Sequence, residues 1–219
     1  MKVINLSERT SILNRYVAEI RDVEIQKDRL RFRHNIERIG EIMAYEISKT
    51  FDYSPTEITT PLDVSHDLLD QDHVVLATIL RAGLPLHHGF TEYLDRADNA
   101  FVSAFRKYKD RLNFEVMIEY LASPNIDGST LIITDPMLAT GSSMELAYRA
   151  LLTKGTPAKV HLAAVISSQP AIEYLQGVMP EDTVCWTAAL DPAIDEHSYI
   201  VPGLGDAGDL AFGEKEDEI

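Results

Sequence analysis

The sequence predicts an α/β fold: one domain with a mainly parallel sheet and helices on both faces. Three observations carry that expectation. Between residues 73 and 190, short β-branched apolar runs alternate with segments of helical periodicity, as parallel strands joined by helical crossovers do. The run 73–80 is apolar almost throughout, like a strand buried on both faces. The 219 residues, 45% hydrophobic and 25% charged, suit one domain with a sizeable core.

In chain order, residues 1–7 read as a short strand or extended arm. Ser7 is expected to cap a helix from about Glu8, with Ile12, Leu13, Tyr16, Val17 and Ile20 on one face. A second helix is expected over about 26–49, its later face showing Ile36, Ile39, Ile42, Met43 and Ile47. A basic run, Lys27, Arg29, Arg31 and Arg33 with Arg38 beyond, reads either as a solvated or paired face or as an effector or subunit contact. Residues 58–65, interrupted by Pro61, predict one or two short edge strands.

Strand 73–80 ends at Arg81-Ala82-Gly83, and a helix follows to about Leu94. Residues 101–105 are the next strand, and 106–121 suggest a loop or a protruding hairpin arm. Residues 123–128 are a turn cluster. A strand from Leu131 leads to a helix over about 143–153, with Gly155 beyond its end. Strand 160–166, a short helix from Pro170 to about Val178 and strand 183–190 complete the alternation. The acidic tail, 214–219, is expected to fray.

The net charge is −15, from 35 acids against 20 bases. A general nucleic-acid or anionic-membrane binder needs a basic face, so neither partner is expected. An anionic substrate must then meet a local basic cluster. Cys185, the single cysteine, allows no internal disulfide and reads as a buried structural thiol. No apolar run reaches membrane-spanning length and the N-terminus has no signal-peptide core, so a cytoplasmic location is expected.

The chemistry concentrates in 131–143, Leu-Ile-Ile-Thr-Asp-Pro-Met-Leu-Ala-Thr-Gly-Ser-Ser. A buried strand breaks at Asp135-Pro136. The segment closes with Thr140, Gly141, Ser142 and Ser143 in front of a helix. Free N–H groups and the helix dipole favour a phosphate there. Asp135, at the carboxyl end of its strand, would repel that phosphate but suits a neighbouring sugar diol, or a metal held with the phosphates. Sugar plus phosphate is the expected ligand. The plainer alternative is a serine-rich helix cap.

The segment from Asp135 to Ser143 closely resembles the phosphoribosyl pyrophosphate loop of the uracil phosphoribosyltransferases, with Ser142 where the family usually has Gly. A single acid followed by Pro136 is similar to the uracil branch of phosphoribosyltransferases. Ile79 to Leu84 resembles the family's Ile-Leu-Arg-Ala-Gly-Leu. Arg106 matches its phosphate-binding arginine, with Phe105 in place of tyrosine. Pro85-Leu-His87-His88 departs from the usual small or apolar residues, and the His pair reads as local surface rather than a metal site. Near the C-terminus, Tyr199-Ile-Val-Pro-Gly-Leu-Gly-Asp-Ala-Gly-Asp209 is a near-complete match to the family's uracil loop. Its glycines and proline predict an irregular backbone, neither strand nor helix, that can read a planar ring edge through main-chain groups. The lead-in from Asp191 to Tyr199 departs from the family's Asp-x-x-Leu-Asn-Glu-x-Gly-Tyr.

The resemblance implies a phosphoribosyltransferase core (72–190) within a single unit, 1–219, with an N-terminal helical region (1–55), a protruding β-arm and a C-terminal base-binding hood (191–213). It implies transfer of a phosphoribosyl group from 5-phospho-α-D-ribose 1-diphosphate (PRPP) to uracil. Asp135, Arg81 and Arg106 would carry catalysis. PRPP would meet Arg81, Ala82, Gly83, Arg106, Asp135, Pro136, Met137, Leu138, Ala139, Thr140, Gly141, Ser142, Ser143 and Asp206. Uracil would meet Met137, Ala139, Tyr199, Ile200, Gly205, Asp206 and Ala207. Mg²⁺ would arrive on the diphosphate, without direct protein ligands. Arg106, Lys107, Lys109 and Arg111 supply the basic cluster an acidic chain needs, and 106–111 is expected to be mobile until the diphosphate orders it. The family also suggests a homo-oligomer and, in some members, a GTP effector. The rivals are a nucleotide-sensing RNA-binding regulator on the same fold, a transferase for another base, and a catalytically silent subunit.

Overall fold

Alternating side chains along the central strands divide the interior into two cores. Leu76 and Ile132 face one, and Val75, Ala77, Leu131 and Ile133 face the other. That period of two, on strands apolar on both faces, places them mid-sheet. The structure, a computed structural model, describes residues 1–108 and 114–215, and the side chains of all of these except 104–108 and 114–117.

β1 (Lys2–Asn5) leads through a short turn to α1 (Leu13–Arg21), then α2 (Arg29–Ser48). β2 (Tyr53–Thr59) and β3 (Val64–Asp70) pair antiparallel as a separate hairpin. β4 (Val74–Leu80) feeds α3 (Leu84–Thr91), followed by β5 (Asp98–Tyr108) and β6 (Phe114–Ala122). β7 (Thr130–Thr134), β8 (Met137–Leu138) and α4 (Ser142–Leu151) come next, then β9 (Lys159–Ser168), α5 (Gln169–Val178) and β10 (Val184–Asp191). The chain ends in β11 (Ala193–Ile194), β12 (Ile200–Val201) and α6 (Ala207–Phe212). The main sheet runs β1-β10-β9-β7-β4-β5-β6, with β8 also on β9. Its pairs are parallel except β5–β6. Side chains of α1, α2, α3 and α6 fill one core, and those of α4 and α5 fill the other.

Several local expectations are corrected. Ser7 caps no long helix: its hydroxyl donates to the Ala188 carbonyl and so ties the chain to β10. α1 starts five residues later than expected, at Leu13, where Ser11 Oγ accepts from Leu13 N and Asn14 Oδ1 accepts from Ser11 N. Ile12 is therefore exposed, while Leu13, Val17 and Ile20 are buried. Burial of each is worth about 1.5–3 kcal/mol as an upper bound. α2 starts at Arg29 because Asp28 accepts from Leu30 N and Arg31 N. The 58–65 segment belongs to the free-standing β2–β3 hairpin, with Pro61 in its turn rather than on an edge strand. β5 extends to Tyr108, so Arg106 sits in a strand, opposite Val116, and the hairpin-arm alternative is the one observed. His87 is buried against Phe101 rather than on the surface.

The N-terminal helices are built into the core. α2 and α3 touch through glycine: a Cβ on Gly89 would lie 2.0 Å from the Glu37 carbonyl oxygen, and one on Gly40 would lie 2.6 Å from that of Leu86. Those neighbours are backbone and cannot rotate away. Gly89→Ala is therefore expected to lower stability by about 2 kcal/mol or more, although alanine favours helix. A urea unfolding midpoint at or above that of the parent would show that the helices separate freely.

Candidate active site

β4 and β7 are neighbours, with Thr78 opposite Thr134, so the segments that follow them open on one side of the sheet. Arg81 and Asp135 leave these adjacent carboxyl ends, the crevice where open α/β sheets bind ligands.

After β7 the chain turns at Asp135, whose Oδ1 accepts from Met137 N at 3.2 Å. Pro136 is buried, and Met137 and Leu138 then pair with Ile166 and Ser167 of β9. The loop is thus a sheet-anchored bend rather than a simple strand-to-helix turn. Ser168 Oγ donates to the Ala139 carbonyl at 2.6 Å, Thr140 Oγ1 and Ser142 Oγ share a hydrogen bond of 2.7 Å, and Ser142 opens α4. Gly141, with φ +82°, precedes the helix against α5, where a Cβ would lie 3.0 Å from Tyr174 and Leu175 carbons. Tyr174 in turn donates to Glu145, which also pairs with Arg149 at 2.6 Å. Only Gly141 carries positive φ within the loop, so the backbone makes no demand for glycine at Ser142. Asp135, Met137, Leu138, Ala139, Thr140, Gly141 and Ser143 line one small polar concavity of about 40 Å³.

Arg81 Nη2 donates to Asp209 Oδ1 at 2.8 Å and to the Gly213 carbonyl at 2.9 Å. Gly83 opens α3 in ordinary right-handed geometry. Its missing side chain serves packing on its own strand: a Cβ would lie 2.2 Å from Thr78 Oγ1. A Cβ on Gly208 would lie 3.8 Å from both Ala82 Cβ and Arg81 Nε, and 3.2 Å from Asp206 Oδ1. The structure therefore brings Arg81, Ala82 and Asp206 together. Arg106 and Lys107 are described in backbone only, in register with Val116 and Glu115. Lys109 and Arg111, and with them the expected closing movement of 106–111, lie outside the described residues.

The 199–209 segment is more regular than expected. Ile200 and Val201 pair with β11, and Asp206 starts α6 by accepting from Asp209 N at 3.0 Å. Ile200 and Ala207 are buried in the core cluster against which Met137, Ala139 and Ala82 pack. Gly205 is exposed with φ +93°, and Tyr199 is 44% exposed. In the lead-in, Ser198 stands where the family pattern has glycine, and it alone among non-glycine described residues has positive φ, +66°. Asp195 carries the strain: its Oδ1 accepts from His197 N and Tyr199 N at 2.9 and 2.8 Å, and its N–H donates to the Tyr199 carbonyl at 2.8 Å.

The basic run is largely paired. Lys27 meets Glu24, Arg31 meets Glu19, and Arg38 lies over the Tyr16 ring. Arg33 Nη1 instead donates to the Ala211 carbonyl at 2.7 Å, reaching the end of α6. Sequence reasoning missed this anchoring, as it missed Arg21 and Asp209; a lone arginine on a helix carries no motif. The His pair packs between elements: His88 lies 3.6 Å from Glu37 of α2 and from Glu92, and burial pushes the His87 pKa down to about 4. No cluster of three or more His, Cys, Asp or Glu suited to a metal occurs among the described residues. Cys185 is buried, and burial pushes its thiol up to about 12, which suits a structural role.

A parallel α/β sheet with a Gly- and hydroxyl-rich loop opening a helix, a strand-end carboxylate beside it and a C-terminal segment next to Arg81 and Ala82 at the neighbouring strand end fit one class, an α/β phosphoribosyltransferase. The family model for uracil phosphoribosyltransferase matches residues 7–214. The uracil phosphoribosyltransferase of Porphyromonas gingivalis is 66% identical over 98% of this chain and all of its own length. That of Methanothermobacter thermautotrophicus is 37% identical over 87% of each. The solved AQ2163 protein of Aquifex aeolicus has the same fold, with a TM-score of 0.87 and 24% identity over 98% of this chain and 100% of its own. The chain belongs to the uracil phosphoribosyltransferase family.

Ser198 generates one prediction. A serine in left-handed backbone costs about 1–2 kcal/mol, and the extra unfolded-state entropy of glycine offsets part of that. Ser198→Gly is expected to raise stability by about 0.5–1 kcal/mol. A variant less stable than the parent in thermal unfolding would mean that the turn holds no strain.

Proposed function

We propose that the chain transfers the phosphoribosyl group of PRPP to uracil, giving UMP and diphosphate. What supports this reading is that the chain is matched to the family along almost its whole length, and that the two segments closest to the family's pattern, 135–143 and 199–209, meet at one core cluster, with Ile200 and Ala207 in it and Met137 and Ala139 packed against it.

In this reading uracil N1 bonds to ribose C1 as the C1–oxygen bond breaks. The electron pair leaves with diphosphate, and the N1 proton passes to solvent. The protein's work is positioning and electrostatics. Backbone N–H groups over 139–143 and the start of α4 hold the 5′-phosphate. Asp135 holds the ribose hydroxyls and faces the cationic character that grows at C1. Arg81 and Arg106 meet the diphosphate. Both bonds that Arg81 makes to the hood run through Nη2; its Nε–H and Nη1–H groups, which point to different sides of the guanidinium, are the donors for phosphate oxygens in this reading. Main-chain groups at Ile200, Gly205 and Ala207 read the uracil edge, Tyr199 covers the ring, and Asp206 borders both ligands.

Mg²⁺, when bound, neutralises diphosphate charge. The donors at hand, single carboxylates and hydroxyls, are hard oxygens that suit an ion carried in by the substrate rather than caged by protein. The reading also includes a cytoplasmic homo-oligomer and a GTP effector, both supported by the family resemblance. No helix among the described residues is long and apolar enough to cross a membrane.

Labelled uracil, cytosine, orotate, hypoxanthine and adenine, each incubated with PRPP and Mg²⁺, test the reading. UMP as the sole nucleotide product is expected. Turnover of another base, or of none, overturns it. Asp135→Asn, nearly isosteric, is expected to fold normally and lose about 10²–10³-fold in kcat. A kcat near that of the parent would remove Asp135 from the mechanism.

A further inference from the structure

Of the arginines that fasten the hood to the body of the protein, Arg21 is marked by no sequence motif and holds the hood at its beginning. Arg21 closes the last turn of α1. Its guanidinium forks onto Asp191, Nη1 to Oδ2 at 2.8 Å and Nη2 to Oδ1 at 2.7 Å. Nη1 also donates to the Gly203 carbonyl at 2.8 Å, and Gly203 N donates back to Asp191 Oδ2 at 2.9 Å. The three groups form a closed ring of hydrogen bonds. Asp191 is only 5% exposed, so these bonds are shielded from competing water.

The ring spans the base loop. Asp191 ends β10 where the hood begins, and Gly203 lies within the turn that follows Ile200. Gly203 holds φ +59°, and a Cβ there would lie 2.0 Å from the Ile200 carbonyl oxygen. The clamp therefore fixes a turn packed directly on the main chain of Ile200. A carboxylate alone would meet the Gly203 N–H but leave its carbonyl unheld. Arg21 supplies the second bond, and its planar fork sets the angle between β10 and the turn. Its own helix is immobilised by Leu13, Val17 and Ile20 in the core.

We propose that Arg21 is a positioning residue for the base: through Asp191 and Gly203 it holds the main-chain groups of the 199–207 loop at the spacing that reads uracil. The proposal rests on the assignment of that loop to uracil. Loss of the clamp moves the loop and not the phosphate cradle, which hangs from β7, β9 and α5. The effect is therefore selective for one substrate.

Steady-state kinetics on the full-length protein, with each substrate varied at saturation of the other, test this. Arg21→Lys keeps the charge and removes the fork. Because Arg21→Ala leaves Asp191 buried without its cation, Arg21→Ala combined with Asp191→Asn is the companion variant. In both, the KM for uracil is expected to rise tenfold or more, while the KM for PRPP stays within twofold, with the larger effect in the double variant. Gly205→Val, run alongside, separates the two layers of the argument. If it raises the uracil KM while both clamp variants leave it within twofold of the parent, the loop assignment stands and the role of Arg21 is overturned. If Gly205→Val leaves the uracil KM unchanged, the loop assignment fails and the proposal fails with it. Equal rises in both KM values would make Arg21 a general structural residue and also overturn it.

Discussion

The position of the C-terminal hood depends on arginine side chains that reach it from three other elements. Arg21 of α1 holds Asp191 and Gly203, Arg33 of α2 holds the Ala211 carbonyl, and Arg81 after β4 holds Asp209 and Gly213. Three of these bonds end on backbone carbonyls, two of them at the exit of α6, where helix carbonyls lack partners of their own. Guanidinium is suited to this task because it presents several donors in fixed directions and keeps its charge at all accessible pH. The hydrophobic contribution comes from Ile200, Leu204, Ala207 and Ala211, which join the core shared with α1 and α2. The helices before residue 50 are thus the platform on which the last part of the chain is set.

This arrangement also bears on how a chain with a net charge of −15 handles anionic ligands. Exposed cations on and just before α2 are largely spent on neighbouring acids, as Arg31 on Glu19 and Lys27 on Glu24, and contribute little field of their own. In the proposed reading the phosphate meets instead the oriented main-chain N–H groups at the start of α4, which carry no formal charge to be neutralised. Arg81 is the one fixed guanidinium described at the crevice, and its contact with Asp209 holds it there. An acidic surface and a phosphate site are compatible because the attraction is local.

Much of the site was legible because its chemistry is written in contiguous residues. The 135–143 loop and the 199–209 segment carry Gly, Pro, Asp and hydroxyl residues in runs, and the strands before them are too apolar to be anything but central. What stayed hidden was carried by single residues acting across the fold. Arg21 and Asp191 are 170 positions apart and mean nothing separately. Gly83 carries a packing constraint that no motif shows, Thr78 of the preceding strand, 2.2 Å from where a Cβ would stand. Nothing in the sequence marks Gly89, whose constraint is the backbone of α2. The start of α1 was misplaced because Ser7, a good cap in isolation, finds a better partner in the Ala188 carbonyl. Local propensity sets which elements form; pairings distant in sequence set where they begin and what their glycines are for.

The two serines that replace family glycines show the same distinction from the other side. Ser142 and Ser198 are equal departures when read as letters. At Ser142 the backbone is already helical, the hydroxyl joins Thr140, and nothing in the conformation calls for glycine. At Ser198 the backbone is left-handed, and the serine is tolerated because Asp195 accepts two N–H groups across the turn and so over-determines it. Asp195 stands where the family has asparagine, and either side chain offers the oxygen that this turn uses. The substitution of one position is therefore made possible by what the other retains. The geometry delivered to Ile200 and Gly203 depends on that pair together rather than on the match at either position alone.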